Sequence, residues 1–361
     1  MSGRAWVRVA GLSALGWTAG EGPAPVRLPV PPTAVHADSL IREGETHFAH
    51  LWQITSGGEN AEAYWSNDGT RLIFQSTRDG WPCDQQYVFE LATGAVRRVS
   101  NGRGRTTCGY FYDHDRRVLF SSTHLGRDSC PPQPDFSQGY VWRVDPDYDI
   151  FTARPDGSDL RRLTKAPGYD AEATVSTDGE WIVFTSVRDG DLELYRMKPD
   201  GSGLLRLTDR LGYDGGAFFS RDGQWICYRS SYPASDSLAA DYRDLLGRHM
   251  VRPSQMNLWM MRADGSEKRQ VTSKPGASFA PYFTPDGKAL IYSSNWEQPR
   301  GRNFDLYVVS AEGGEPAPVT RDSSFDGFPM FSPDGRWLVF ASNRGAKQRG
   351  ETNLFLAEWR L

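Results

Sequence analysis

One short phrase recurs along this chain and constrains its fold more than any other feature. FSPDGRWLVFAS (331–342) has near copies in WSNDGTRLIFQS (65–76), VSTDGEWIVFTS (175–186), FSRDGQWICYRS (219–230) and FTPDGKALIYSS (283–294). A sixth copy, FYDHDRRVLFSS (111–122), keeps the apolar pattern but carries His114 and Asp115 in place of Asp-Gly. Asp-Gly between two β-rich runs signals a hairpin, because Gly accepts φ > 0 and Asp caps the turn. The bulky, β-branched run after each turn reads as a buried strand. Aligned on the turn, Asp68, His114, Asp178, Asp222, Asp286 and Asp334 lie 46, 64, 44, 64 and 48 residues apart. Periods of about 40–50 residues with four strands each predict propeller blades. The two long periods read as the same unit carrying about 20 extra residues.

Residues 171–208 show the full unit: AEATVS as inner strand, WIVFTS after the turn, LELYRMK as third strand, and LLRLT as outer strand. The last unit stops at its third strand, NLFLAEW (353–359), while HLWQIT (50–55) looks like an outer strand with no strands before it. The predicted fold is therefore an all-β, six-bladed propeller over 46–361, with the N-terminal strand completing blade six. Closure removes an exposed sheet edge that would otherwise template aggregation. Gly 37 and Pro 23 in 361 residues supply the many turns.

The net charge of −4 with no long basic run argues against a nucleic-acid partner. No apolar run approaches the ~18 residues of a membrane span. Residues 1–20 carry Arg4 and Arg8 before a small-residue apolar stretch, which reads as a weak secretory signal. Residues 21–45 include GPAPVRLPVPPTAV and read as an extended, Pro-rich linker outside the core.

The phrase F-S-P-D-G-x-x-[IL]-x-F-x-S, followed by [DN]-L-[YF] and D-G-S…[LV]-T, resembles the WD-repeat-like propellers of the TolB-like family across residues 47–361. The resemblance implies a six-bladed ring and, because TolB is periplasmic, an exported protein. Members of this fold serve as scaffolds, receptors, sensor modules and peptidase gatekeepers, so the expected ligand is a protein partner or a small molecule. TolB carries a separate N-terminal domain, and about 45 residues before the ring are too few for it. The expectation is a family member other than TolB itself.

Catalytic signatures are sparse. There is no G-x-S-x-G elbow, and GASFA (276–280) lacks the final Gly. There is no H-E-x-x-H, C-x-x-C or phosphate-binding loop. Some propeller lyases use His clusters and a channel metal, but of six histidines only His124 and His249 fall in the long insertions. The reading is a non-catalytic scaffold, with a channel hydrolase or lyase as the alternative.

Strand parity puts both insertions, 123–147 and 231–255, on one face, joined there by loops such as STRDGW (76–81) and SNRGAKQRG (342–350). Loops on a rigid scaffold are where binding residues sit, which makes this the expected interaction face. Leu238, Tyr242, Leu245 and Leu246 have helical spacing and predict a short helix capping the channel. Cys83, Cys108 and Cys130 share that face, giving Cys83–Cys108 or Cys108–Cys130 as candidate disulfides, while Cys227 reads as a buried thiol.

Aligned on the turn, Asn60, Thr106, Asp170, Asp214, Ser278 and Asp326 form a ring of side-chain oxygens near the start of the inner strands. Glu62 and Glu172 stand two positions on, and Arg105 precedes the inner strand of blade two. Such residues commonly cap turns through their own backbone. The functional reading is a ligand pocket at the channel mouth. Asp170, Asp214 and Asp326 would hold a hard cation such as calcium, and Arg105 is the competing countercharge.

Overall fold

The computed structural model describes residues 30–137 and 139–360. Six antiparallel sheets surround one axis, as the repeat spacing predicts. The inner strands are Asn60–Trp65, Thr106–Tyr112, Asp170–Val175, Tyr213–Phe219, Ser278–Phe283 and Asp326–Phe331. Blade six runs, from the axis outward, through Asp326–Phe331, Trp337–Ser342, Asn353–Trp359 and Phe48–Gln53. The N-terminal strand thus completes the last blade, with Leu51 opposite Ala357 and Trp52 opposite Leu356.

A fifth strand, Val35–His36, then pairs with the outside of that sheet, Val35 opposite Gln53. This corrects the expected linker 21–45. From residue 30 onward it belongs to the fold: Ala37 is buried and Glu45 reaches Arg344 at 3.1 Å. Two forces account for this. The closure strand leaves a free edge that Val35–His36 covers, and the fully buried Arg344 needs countercharge, which Glu45 and Asp326 provide. The expected signal, residues 1–20, lies outside the described residues.

Each recurring residue of the phrase has a repeated job. Before the turn, Ser66, Ser176, Ser220, Thr284 and Ser332 donate to the turn aspartate. Their hydroxyl oxygens also accept from the backbone N–H five residues on, locking the hairpin. The Thr of the [LV]-T motif accepts from a third-strand N–H, as in Thr164 from Ile150, Thr208 from Leu194, Thr272 from Leu258 and Thr320 from Leu306. In blade six the same bond runs from Leu354 N–H to Thr55 at 2.8 Å, across the closure.

Blade two departs from Asp-Gly for a visible reason. Asp113, His114 and Asp115 all take positive φ (52°, 51° and 62°). That turn aims Asp115 at blade one, where its carboxylate accepts from the Asn67 and Asp68 backbone N–H groups at 2.8 and 2.9 Å.

The two insertions meet. Trp142–Arg143 pairs with Met250–Val251, joining blade two to blade four above the ring. The helix Asp236–Gly247 starts at Ser235, whose hydroxyl accepts from Leu238 N–H. It buries Tyr242 and Leu245, but Leu238 points outward at 53% exposure, so the expected apolar face of this helix is shorter by one residue.

Candidate functional site

The inner strands share one local irregularity. Five ladders shift register by a bulge after the second inner-strand residue, and the sixth, in blade four, does so between Gly215 and Phe218. At that point Glu62, Cys108, Glu172, Gly216, Ala280 and Phe328 all take positive φ, between 49° and 59°. Bulges re-aim side chains and are frequent beside functional sites. Here they create a ring of six residues at one level of the channel.

On this level, blades one to four make a buried polar cluster. Glu172 accepts from Tyr213 OH at 2.8 Å, from Gly216 N–H at 2.8 Å and from Thr185 Oγ1 at 2.9 Å. Arg229 comes in from the second strand of blade four and meets Glu172 at 2.5 Å and Tyr213 OH at 2.5 Å. Glycine is required for this approach. A Cβ on Gly216 would lie 2.0 Å from an Arg229 guanidinium nitrogen, and one on Gly215 would lie 2.3 Å from Glu172 Oε2. Burial opposes the charge of Arg229, but Glu172 and Tyr213 outweigh it and hold the guanidinium protonated.

Glu62 lies deep in the molecule and still keeps some accessible surface, so it faces an internal space. Burial pushes its carboxyl up to about 7, with a hydrogen bond to Cys108 and the Arg229 charge opposing and Glu172 adding to the rise. Burial, then Glu62 and Glu172, raise the Cys108 thiol well above its ordinary value, so the thiol stays protonated.

Both ends of this chamber are covered. On the insertion face, Trp142 packs edge-on to Tyr213 and Phe279 and sits 5.2 Å from the Arg229 guanidinium. Val144, Tyr148, Tyr242 and Val251 join the same apolar cluster as Tyr169, Leu192 and Phe279. On the other side, aromatic rings from blades one, two, four and five cross the axis. Tyr64 lies 5.5 Å from Phe218 and 5.8 Å from Tyr110, and Phe218 lies 5.5 Å from Tyr282. Beyond this plug the Asp-Gly face opens into a cavity of about 870 Å³, lined by Trp65, Tyr110, His114, Asp178, Arg221 and Tyr282 among others.

The ring of oxygens is a set of blade locks. Asn60, Thr106, Asp170, Asp214, Ser278 and Asp326 are all buried. Each stands opposite the serine near the end of the second strand: Ser76, Ser122, Ser186, Ser230, Ser294 and Ser342. The structure does not gather Asp170, Asp214 and Asp326 into a cation cradle, which corrects the sequence expectation for calcium. The only convergent trio of His, Cys or carboxylate ligands among the described residues is His36, Asp38 and His50, on the closure sheet.

Each carboxylate finds its partner inside its own blade. Arg188 meets Asp170 at 3.0 Å and Arg344 meets Asp326 at 2.7 Å, each from two residues beyond the serine. Blade four has Tyr232 at that place and no arginine. Burial pushes Asp214 up to about 8 there, against hydrogen bonds from Ser230 and Tyr232. Arg105 pairs with Asp84 at 3.5 Å and supplies no charge to the ring. Two arginines of the loops expected on the interaction face, Arg188 and Arg344, therefore turn inward.

The disulfide joins Cys83 to Cys130, leaving Cys108 and Cys227 free, so neither expected pairing forms. The bulge takes Cys108 into the channel, away from the loops that hold the other two. His124 is a core residue: its Nδ1 lies 2.8 Å from Ser122 Oγ and its ring 4.3 Å from that of Phe151. Burial, and then the Arg103 charge, lower its pKa. His249 sits just past the helix, at φ 59°. Reasoning from sequence missed Arg229, Tyr213 and Trp142. The paired glycines 215–216 inside an inner strand were the available signal for the first two.

Residues 249–353 match the TolB beta propeller domain family. The Tol-Pal system protein TolB of Bordetella pertussis is 30% identical over 126 residues, which are 35% of this chain and 24% of that relative. The matched stretch thus spans about a quarter of the relative's length. Among solved structures, a putative TolB from Agrobacterium tumefaciens superposes with a TM-score of 0.55 at 19% identity, covering 84% of this chain and 91% of that one. A gluconolactonase from Xanthomonas campestris gives a TM-score of 0.56 at 16% identity, covering 94% and 99%. At these identities the superpositions show a shared fold.

Proposed function

For this TolB-like β-propeller, we propose a non-catalytic scaffold outside the cytoplasm whose insertion cap docks a protein partner. The observation that carries the reading is where apolar surface is left uncovered. Of the seven exposed large hydrophobic side chains among the described residues, four lie in the two insertions: Leu125, Phe136, Tyr140 and Leu238. Exposed apolar groups gathered on one added element mark interaction sites more often than scattered ones do. Phe136 and Tyr140 stack at 5.8 Å, and aromatic anchors of this kind dominate protein interfaces. The cap is tied down by the Cys83–Cys130 bond and by the pairing of Trp142–Arg143 with Met250–Val251, which lowers the ordering cost of binding. A disulfide suits an oxidising compartment, and the Bordetella relative's name places it in the Tol-Pal system.

A second reading takes the cavity on the Asp-Gly face as a site for a small molecule, bound or transformed. Its volume of about 870 Å³ falls in the range of ligand pockets, roughly 300–1,000 Å³. It presents Tyr110, Tyr282, His114 and Arg221 to one opening.

Site-directed photocrosslinking separates the two. A crosslinking side chain placed at Phe136 or Tyr140 should capture a defined partner in the envelope fraction, and Leu238→Asp combined with Tyr140→Asp should abolish capture. The same group at Thr284 should capture nothing. Capture from Thr284 alone, or a complex indifferent to the double substitution, would sink the cap reading. Ligand binding abolished by Arg221→Ala would establish the second.

A further inference from the structure

His36, Asp38 and His50 meet on the outer edge of blade six, at the seam that closes the ring. His36 belongs to the added edge strand Val35–His36 and His50 to the closure strand Phe48–Gln53. The Asp38 Oδ2 atom lies 3.1 Å from His36 Nε2 and 2.8 Å from His50 Nδ1. The three atoms all lie within 4.8 Å of one another. Ligands at ~2.0–2.1 Å around a tetrahedral zinc are about 3.3 Å apart, so the trio needs only a small adjustment to surround an ion.

The carboxylate is already fixed from behind. Its other oxygen, Oδ1, accepts from Leu51 N–H at 2.7 Å. Such outer contacts orient a ligand before the metal arrives. Both histidines are exposed, so an ion and its water have access, and the imidazoles can take the tautomers that leave Nε2 of His36 and Nδ1 of His50 unprotonated for it.

We propose that His36, Asp38 and His50 form a transition-metal site of the zinc class, with two imidazoles and one carboxylate. Bound metal fastens the edge strand to the closure strand. Two nitrogen ligands and one oxygen select zinc, cobalt, nickel or copper over calcium and magnesium, which prefer oxygen. Three protein ligands leave the fourth position to water. Because the ligands sit on the edge strand and the closure strand, which the folded blade holds in register, occupancy favours the folded state by mass action.

The test titrates Zn²⁺ alone into the untagged full chain by calorimetry, with thermal melts alongside. One equivalent should bind with a dissociation constant in the micromolar range, unaffected by excess Ca²⁺. The melting temperature should climb with zinc concentration. His36→Ala and His50→Ala should each weaken binding at least about tenfold, and Asp38→Asn should do so while keeping its bond to Leu51. Co²⁺ should give the intense visible absorption of a tetrahedral site, lost in the His50→Ala variant. All three residues are at least partly exposed, so the variants should fold. Binding weaker than about 1 mM, or equal affinity in parent and both histidine variants, would mean an adventitious ion only and would overturn the proposal.

Discussion

Burial raises the Glu62 carboxyl to about 7, so from the ordinary carboxylate range up to neutrality the folded chain holds a proton that the unfolded chain releases. The folded state then binds more protons than the unfolded state, and stability falls as pH rises. This contribution is complete below the ordinary value of 4.5 and is lost as pH climbs through about 7. Asp214 and Asp305, raised to about 8 and about 7, act in the same direction. Glu62→Gln removes one ionisable group and leaves the others. Urea melts should therefore show the variant gaining on the parent between pH about 5 and about 9. An equal stability difference at both ends would show that Glu62 ionises freely in a wet channel. At this scale much was hidden from the sequence. The repeat spacing aligned Glu62 with Glu172, because every blade bulges at the same place along its inner strand. It could not show that Arg229 enters over Gly216, because a second-strand arginine reads equally well as a surface residue.

The blade shows what the repeat phrase is for. Its serine locks the turn, its aspartate caps it, and its outer-strand threonine holds the third strand. These bonds are local, and that is why the fold was legible from spacing and turn chemistry. The places where the chain departs from the phrase were not legible. The replacement of Asp-Gly by His114-Asp115 carries no local signal of its purpose, because Asp115 caps the turn of the neighbouring blade, a contact across 47 residues. The cysteine pairing was also misjudged from the sequence, which drew both candidate bonds through Cys108, because three thiols share one face and only the bulge removes Cys108 from the choice. The element-scale prediction concerns the threonines. Thr55→Val keeps the shape but leaves the Leu354 N–H unpaired in a buried position. It should cost about 1–3 kcal/mol in chemical denaturation. Thr208→Val, which strips the same bond inside blade three, should cost a similar amount. A negligible loss at Thr55 would mean that the closure ladder does not depend on this bond.

Across the whole molecule, the Cys83–Cys130 bond ties blade one to the cap and closes a span of 47 residues. Peptide mapping without reduction should recover that pair, with Cys108 and Cys227 alkylated only after unfolding, since both thiols stay protonated. Cys83→Ser should lower stability by about 2–4 kcal/mol. A mapped bond to Cys108 would contradict the structure directly. The ring is also held by bonds between distant parts of the chain, as in Thr55 to Leu354, 299 residues apart. Contacts of such separation slow folding, because a large loop must close before any of them forms. They also impose an order in time. At ~5–20 residues per second, a ribosome needs about 15–60 s to pass from the first partner to the second. Blades one to five have all their strands by then, while Phe48–Gln53 still waits with an unsatisfied edge. The closure strand is made before any blade and is the last to find its sheet, so a nascent chain cannot close the ring until Asn353–Trp359 has been synthesised.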